Sequence, residues 1–417
     1  MKSEKNHLDI RSVILIMLGM LFCTQEALSQ YFNFKTHRKS ETTSFQLIRN
    51  LIIIPVFINE KGPFNFVLDT GVGLFLITDP ELVASIDTTA ARTIKINGIG
   101  EGNEMSASIC NTAKIELGSS ILGQMPVAVL KEDPFNLSAF LGMPIHGLIG
   151  YELFSSFIVR INYITKSITY YKPETAYIPR KGTKVPISIE DRKPYVEAQA
   201  EFFKGSKETV KLIIDTGAGH PLSLETRSGI PYTVPQNNIA ANLGVGLSGL
   251  INGFISRIPA LQIDKFQLSN VICAFPDYGS VAAKISNLSR NGNLGNNILK
   301  RFNVVFDYGR EAMYLKPNYQ FNEAFEHDMS GMELTTDGKE YEAYIISRVE
   351  SGSAAELAGL KRGDRILALN FKNAQSLGIE EINAHFRSKE GRTMVLEVQP
   401  ENSANTKFFI LTLKRRI

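Results

Sequence analysis

The sequence predicts a mainly β protein: two pseudo-symmetric β-barrel lobes followed by a small C-terminal domain with its own pattern. Three observations carry that expectation. FVLDTGVG at 66–73 and KLIIDTGAG at 211–219 each run an apolar strand into Asp-Thr-Gly and a small-residue turn. The two acids, Asp69 and Asp215, stand 146 residues apart, and the offset recurs: Gly98 and Gly100 match Gly244 and Gly246, and Ile115-Glu116-Leu117 matches Leu261-Gln262-Ile263. After a one-residue slip, Phe157, Val159 and Tyr163 fall on Phe302, Val304 and Tyr308, and beyond residue 317 the repeat stops. A period this long, present twice, describes a duplicated lobe rather than a solenoid.

Bulk composition bounds the rest. A chain of 417 residues has room for two or three domains. Hydrophobic residues make up 44% and charged residues 21%, an ordinary globular balance. The formal charge of +3 (45 basic, 42 acidic) comes without a basic stripe, which argues against a nucleic-acid partner.

The N-terminus reads as a signal peptide over 1–29: Lys2, Lys5 and Arg11 precede an apolar run from Val13 to Phe22, and Ala27-Leu28-Ser29 supplies a cleavage site. An uncleaved anchor is one alternative, although the run is short for a membrane span. A lipid anchor at Cys23 is another, with bulky Phe22 before it fitting poorly. The mature protein is expected to be exported, periplasmic or secreted, with no stable membrane span. Its two remaining cysteines, Cys110 and Cys273, are not repeat-equivalent and read as buried thiols, in a compartment that permits a bridge.

Taken in order, residues 30–45 are polar and read as a loose leader. Lobe one spans 46–175 and lobe two 176–320. Each opens with a hairpin (LIIIPVFI at 51–58, then the strand delivering Asp69; 195–203, then the strand delivering Asp215). Gly-rich tips follow, Gly98-Ile99-Gly100 and Gly244-Val245-Gly246, which bend easily enough to close over a ligand or serve as plain tight turns. Each lobe ends in two strands around a short helix, with Asn162 and Asp307 as matching strand-end residues. Segment 174–193 links the lobes and 318–330 forms a second, polar linker. The C-terminal domain, 331–417, shows a strand at 344–349, a short helix stopped by Gly359, a helix at 379–387 with Ile379, Ile382 and Phe386 on one face, and a strand alternating Met394, Leu396 and Val398.

Two carboxylates brought together cannot both ionise cheaply, so Asp69 and Asp215 would share a proton and titrate in two macroscopic steps. The ionised acid can take a proton from a trapped water while its partner protonates a carbonyl oxygen. Gly71 and Gly217 leave room for close backbone approach, and Thr70 and Thr216 can hydrogen-bond across the pseudo-two-fold.

With D-T-G-V-G, D-T-G-A-G, both Gly-rich tips and Leu148-Ile149-Gly150, residues 45–317 resemble the aspartic proteases. A Gly-rich flap in each half looks like the retroviral type, so the resemblance implies an intramolecular pseudo-dimer with catalytic Asp69 and Asp215, supporting Thr70, Gly71, Thr216 and Gly217, and flap residues 98–100 and 244–246. There are departures. Val72 and Ala218 stand where pepsin-like enzymes place a hydroxyl on the carboxylate, a loss that tends to raise the lower pKa of the pair. Gly73 and Gly219 stand where retroviral enzymes hold substrate backbone with an acid, and Leu294-Gly295 is a thinner signature than its first-lobe partner.

SGSAAELAGLKRGDRILALN at 351–370 resembles a PDZ domain, which adds a peptide C-terminus as an extra strand. The resemblance makes Gly331-Met332-Glu333-Leu334 the carboxylate-binding loop; a packing domain without a ligand is the alternative. The six histidines are scattered without an H-E-x-x-H pattern, and no G-x-S-x-G or phosphate loop appears, so no metal or other cofactor is expected. His220 reads as a solvated loop residue, with a place lining a subsite as the alternative. The expected function is an exported aspartic endopeptidase acting on peptides or proteins, with peptide C-termini recruited by the PDZ domain. A non-catalytic peptide-binding protein on a degenerate protease fold is the rival.

Overall fold

In the computed structural model the described residues are 31–85, 91–96, 105–175, 182–203, 205–246, 249–277, 290–338 and 340–417. Each lobe begins with the same local event. Leu51–Ile58 and Lys61–Leu68 pair as a hairpin in lobe one, and Lys193–Phe203 and Ser206–Asp215 repeat it in lobe two. Period-2 alternation sends Ile52, Ile54, Val56 and Ile58 into the core, and Val210, Leu212 and Ile214 do the same in the copy. The nine-stranded sheet of lobe one and the eight-stranded sheet of lobe two each curl into a closed six-stranded barrel.

A six-stranded sheet joins the lobes. Its order is Thr183–Pro186, Ala312–Pro317, Phe302–Asp307, Ile158–Asn162, Ser167–Tyr171, Ser40–Ser44. The repeat-equivalent strands meet at its centre, with Val159 opposite Phe306 and Ile161 opposite Val304. The pseudo-two-fold therefore runs through a shared core in which Phe157, Phe302, Val159 and Val304 are all buried.

Two connecting stretches are more ordered than their composition suggests. The leader is not loose: Phe32–Phe34 pairs with Ile121–Leu130 and Ser40–Ser44 with Ser167–Tyr171, while Phe32, Phe34 and Phe45 are buried. The second half of the inter-lobe linker is also strand, Thr183–Pro186 on Ala312–Pro317 and Ser188–Glu190 on Lys193–Phe203. Cys110 and Cys273 are buried thiols.

The C-terminal sheet runs Met332–Asp337, Ala343–Val349, Arg365–Leu369, Thr393–Gln399, Lys407–Thr412, with Met332–Asp337 at one edge. Ser353 caps the helix Ala354–Ala358, and Gly359 ends it at φ 86°. The second helix, Ala374–Phe386, starts earlier than the pattern suggests because a kink at Gly378 joins two helical pieces; Ile379, Ile382 and Phe386 face the core. Among the described residues no helix is long and apolar enough to cross a membrane.

Candidate active site

Strand ends position both acids. Asp69 follows Lys61–Leu68, and Gly147–Ile149 runs parallel beside that strand, so the Asp69 amide donates to the Ile149 carbonyl at 2.8 Å. Asp215 closes Ser206–Asp215, with Gly292–Gly295 parallel beside it. The threonines then lock the loops together. The Thr70 and Thr216 amides each donate to the other's Oγ1 at 3.0 Å, while Thr70 Oγ1 donates to the Ile214 carbonyl at 2.6 Å and Thr216 Oγ1 to that of Leu68 at 2.7 Å. All four bonds are buried, so none competes with water.

This lock interleaves the loops. A methyl group on Gly71 would lie 3.1 Å from the Asp215 carboxyl carbon, and one on Gly217 only 2.3 Å from that of Asp69. A larger residue at 217 would drive the acids apart. The Gly71 amide donates to Asp69 Oδ1 at 2.7 Å and the Gly217 amide to Asp215 Oδ1 at 2.8 Å. Asp69 Oδ1 and Asp215 Oδ2 each lie 3.1 Å from the point a Gly71 methyl would occupy, so the two carboxyls converge on one place. Desolvation first, and the neighbouring Asp215 charge second, push the Asp69 carboxyl well above the usual range.

The surroundings of the two acids are unlike. Asn293 Nδ2 donates to Asp215 Oδ2 at 2.6 Å, and its buried Oδ1 has no partner among the described residues. The equivalent residue in lobe one is Leu148, by register on the parallel strand. Lys193, which begins the second-lobe hairpin, feels both acid charges; burial, with Arg290 adding to it, lowers its pKa. Its first-lobe counterpart, at the start of Leu51–Ile58, is Leu51. Lobe two thus supplies the polar groups around the pair. Neither residue stands out in the sequence, though the Leu-to-Asn change inside the aligned G-L-I-G and G-N-L-G segments is a readable signal.

Gly73 and Gly219 each lie against a turn of the opposite lobe. The turn Arg49-Asn50 of lobe one lies against Gly219, where a side chain would meet the Arg49 carbonyl at 2.5 Å, and Asn50 Nδ2 donates to the Gly219 carbonyl at 2.8 Å. The turn Asp191-Arg192 of lobe two lies against Gly73, with Arg192 Nη1 donating to its carbonyl at 3.2 Å. All four turn residues have positive φ, between 47° and 65°. His220 is not solvated: it is partly buried, its Nε2 lacks a partner among the described residues, and burial lowers its pKa against the raising effect of the Asp215 charge.

The second Gly-rich tip is a hairpin, Asn238–Gly246 on Gly249–Ile263, with Val245 opposite Leu250 and a register shift between Asn242 and Gly244. Gly244 takes φ 129°, which favours glycine. The first tip, Gly98, Ile99 and Gly100, lies outside the described residues. Met332, Glu333 and Leu334 begin the C-terminal edge strand and Gly331 immediately precedes it: the Gly331 amide donates to Asp328 Oδ1 at 3.0 Å and its carbonyl accepts from the Glu350 amide at 2.8 Å.

Residues 54–153 match the aspartyl protease family model and residues 345–400 the PDZ domain model. A curated relative, the carboxy-terminal processing protease CtpA of Bacillus subtilis, is 32% identical over 95 residues, 23% of this chain; the chain spans about one fifth of that relative's length. Among solved structures, an aspartic proteinase from Irpex lacteus is 12% identical with a TM-score of 0.41, covering 68% of this chain and 99% of its own. A photosystem II D1 C-terminal processing protease is 20% identical with a TM-score of 0.20, covering 21% of this chain and 23% of its own. The chain therefore carries a retropepsin-like aspartyl-protease domain and a C-terminal PDZ domain.

Proposed function

We propose that the protein is an aspartic endopeptidase in which Asp69 and Asp215 activate a water for peptide hydrolysis. The observation that supports this reading is the convergence of the two carboxyls beside Gly71, with Asp69 pushed well above its ordinary range. Unequal neighbours assign the roles. Asp215, receiving the Asn293 and Gly217 N–H groups, is the carboxylate; Asp69 holds the shared proton. Water attacks the scissile carbonyl carbon and gives a proton to Asp215, while Asp69 protonates the carbonyl oxygen. The resulting diol collapses with cleavage of the C–N bond. The proton on Asp215 passes to the leaving nitrogen, and a diol hydroxyl returns one to Asp69.

Export belongs to the same proposal. A signal peptide over 1–29 would deliver the enzyme to the periplasm or the exterior, and sequencing the N-terminus of the secreted protein checks for a start at Gln30. The central test is hydrolysis of a mixed peptide library by the mature protein across acidic to neutral pH, with and without pepstatin. Pepstatin-sensitive products are expected. Their absence at every pH would leave a binding protein on a protease fold.

A further inference from the structure

A PDZ domain captures a peptide by strand addition, using the free edge of one strand and the helix facing it. Here those walls are the edge strand Met332–Asp337 and the helix Ala374–Phe386. Lobe one already occupies the space between them. Arg49 bridges the walls, its Nη2 donating to the Leu334 carbonyl at 2.8 Å and its amide to Glu380 Oε1 at 2.5 Å. Its guanidinium lies 4.1 Å over the Phe140 ring. The short helix Leu137–Leu141 covers the same edge: the Ala139 carbonyl accepts from Thr336 Oγ1 at 2.9 Å, and Gly142 sits between Thr336 and Ile379. Ile48 packs onto the C-terminal core.

The turn that fills the groove also touches the active site. Arg49 and Asn50 are adjacent; the Arg49 carbonyl abuts Gly219, and Asn50 holds the Gly219 carbonyl while Lys300 and Asn296 hold Asn50. Gly219 is the fourth residue after Asp215. The matching turn, Asp191-Arg192, packs on Gly73.

We propose that the PDZ groove is held closed by lobe one of its own chain, and that a peptide with a free C-terminal carboxylate opens it by displacing Arg49, thereby loosening the Asp215 loop. The inference rests on the PDZ fold and deepens the proposed function by naming a regulatory ligand for it. An occupant tethered in the same chain competes at a millimolar effective concentration, so the resting groove is expected to reject weak ligands. Leu334 on one wall and Ile379 on the other are buried apolar residues, which favours a peptide with an apolar last residue.

The test uses the full mature chain in an Asp69→Asn background, so the probe stays intact and the result does not depend on whether the protein is a protease. Fluorescein-labelled decapeptides ending in Leu, Val or Phe, with free or amidated C-termini, are titrated by anisotropy against four proteins. These are the parent, Arg49→Ala, Glu380→Ala as a second variant on the exposed PDZ side, and Arg192→Ala at the matching turn. Arg49→Ala and Glu380→Ala should bind the free-carboxylate probes at least tenfold tighter than the parent, Arg192→Ala should match the parent, and amidation should abolish the gain. Hydrogen exchange of 215–219 should accelerate in Arg49→Ala without any peptide. Equal affinity in the parent and both groove variants, including no binding by any of them, overturns the proposal. So does a gain indifferent to amidation, an equal gain in Arg192→Ala, or parental exchange at 215–219.

Discussion

Asn293 donates a 2.6 Å hydrogen bond to Asp215, while the matching position beside Asp69 is Leu148, which has no side-chain donor. The duplicated lobes have diverged at the point where their acids meet. Removing the Asn293 donor should therefore act on the acid side of the pH profile. A hydrogen bond to a carboxylate contributes about 1.5–3 kcal/mol, or roughly 1–2 pH units at 1.36 kcal/mol per unit. Since the bond favours the charged form, its loss raises the lower macroscopic pKa of the pair. In Asn293→Leu the acidic limb of kcat/KM should move to higher pH by about that amount; a limb that stays put would remove Asn293 from the proposed mechanism.

Asp69→Asn and Asp215→Asn should each lower kcat by at least ~10²-fold, the lower end of what general acid–base groups supply. Near-ultraviolet circular dichroism should be retained in both. Wild-type turnover in either purified variant would refute the assignment.

Thr70→Val keeps the shape of the side chain and deletes its hydroxyl, leaving the Thr216 amide and the Ile214 carbonyl without their partner in the buried lock. Orphaning buried groups costs about 1–3 kcal/mol each, so urea unfolding should show a loss of about 2–6 kcal/mol. Thr216→Val should match it within error, because the two residues make the same bonds.

Glu152 is buried below the first loop, where it accepts from the Phe75 amide at 3.1 Å. Burial raises its pKa from 4.5 to about 7. A folded-state value above the unfolded one gives stability that is full below about pH 4.5 and is lost as pH rises to about 7. The loss amounts to about 3 kcal/mol at 1.36 kcal/mol per unit. Glu152→Gln should flatten the dependence across that window, as read by denaturant unfolding at pH 5 and pH 8.

The duplication was legible because both copies kept the features that backbone geometry demands: an apolar strand, Asp-Thr-Gly, and a second parallel strand ending in glycine. Residues defined by their partners were not legible. Ser40–Ser44 looks like a polar leader because its one inward carboxylate, Glu41, is satisfied by Ser119 and Ser120, which lie nearly 80 residues away. Lys193 looks like a turn charge until the fold brings it to the acids. Gly73 and Gly219 look like missing substrate contacts, and only the packing of two turns shows that the Arg49 carbonyl excludes a side chain at 219 while Arg192 crowds the space at 73. The PDZ walls could be located from the motif, but their occupant could not, because Arg49 and Leu334 are 285 residues apart.

In an assembly of two identical halves every substitution appears twice, so no residue can favour one side of the axis. Fusing the halves lifts that restriction. Once leucine stands opposite asparagine and leucine opposite lysine, the cleft has a left and a right, and an extended peptide lying in it meets different neighbours when its direction is reversed.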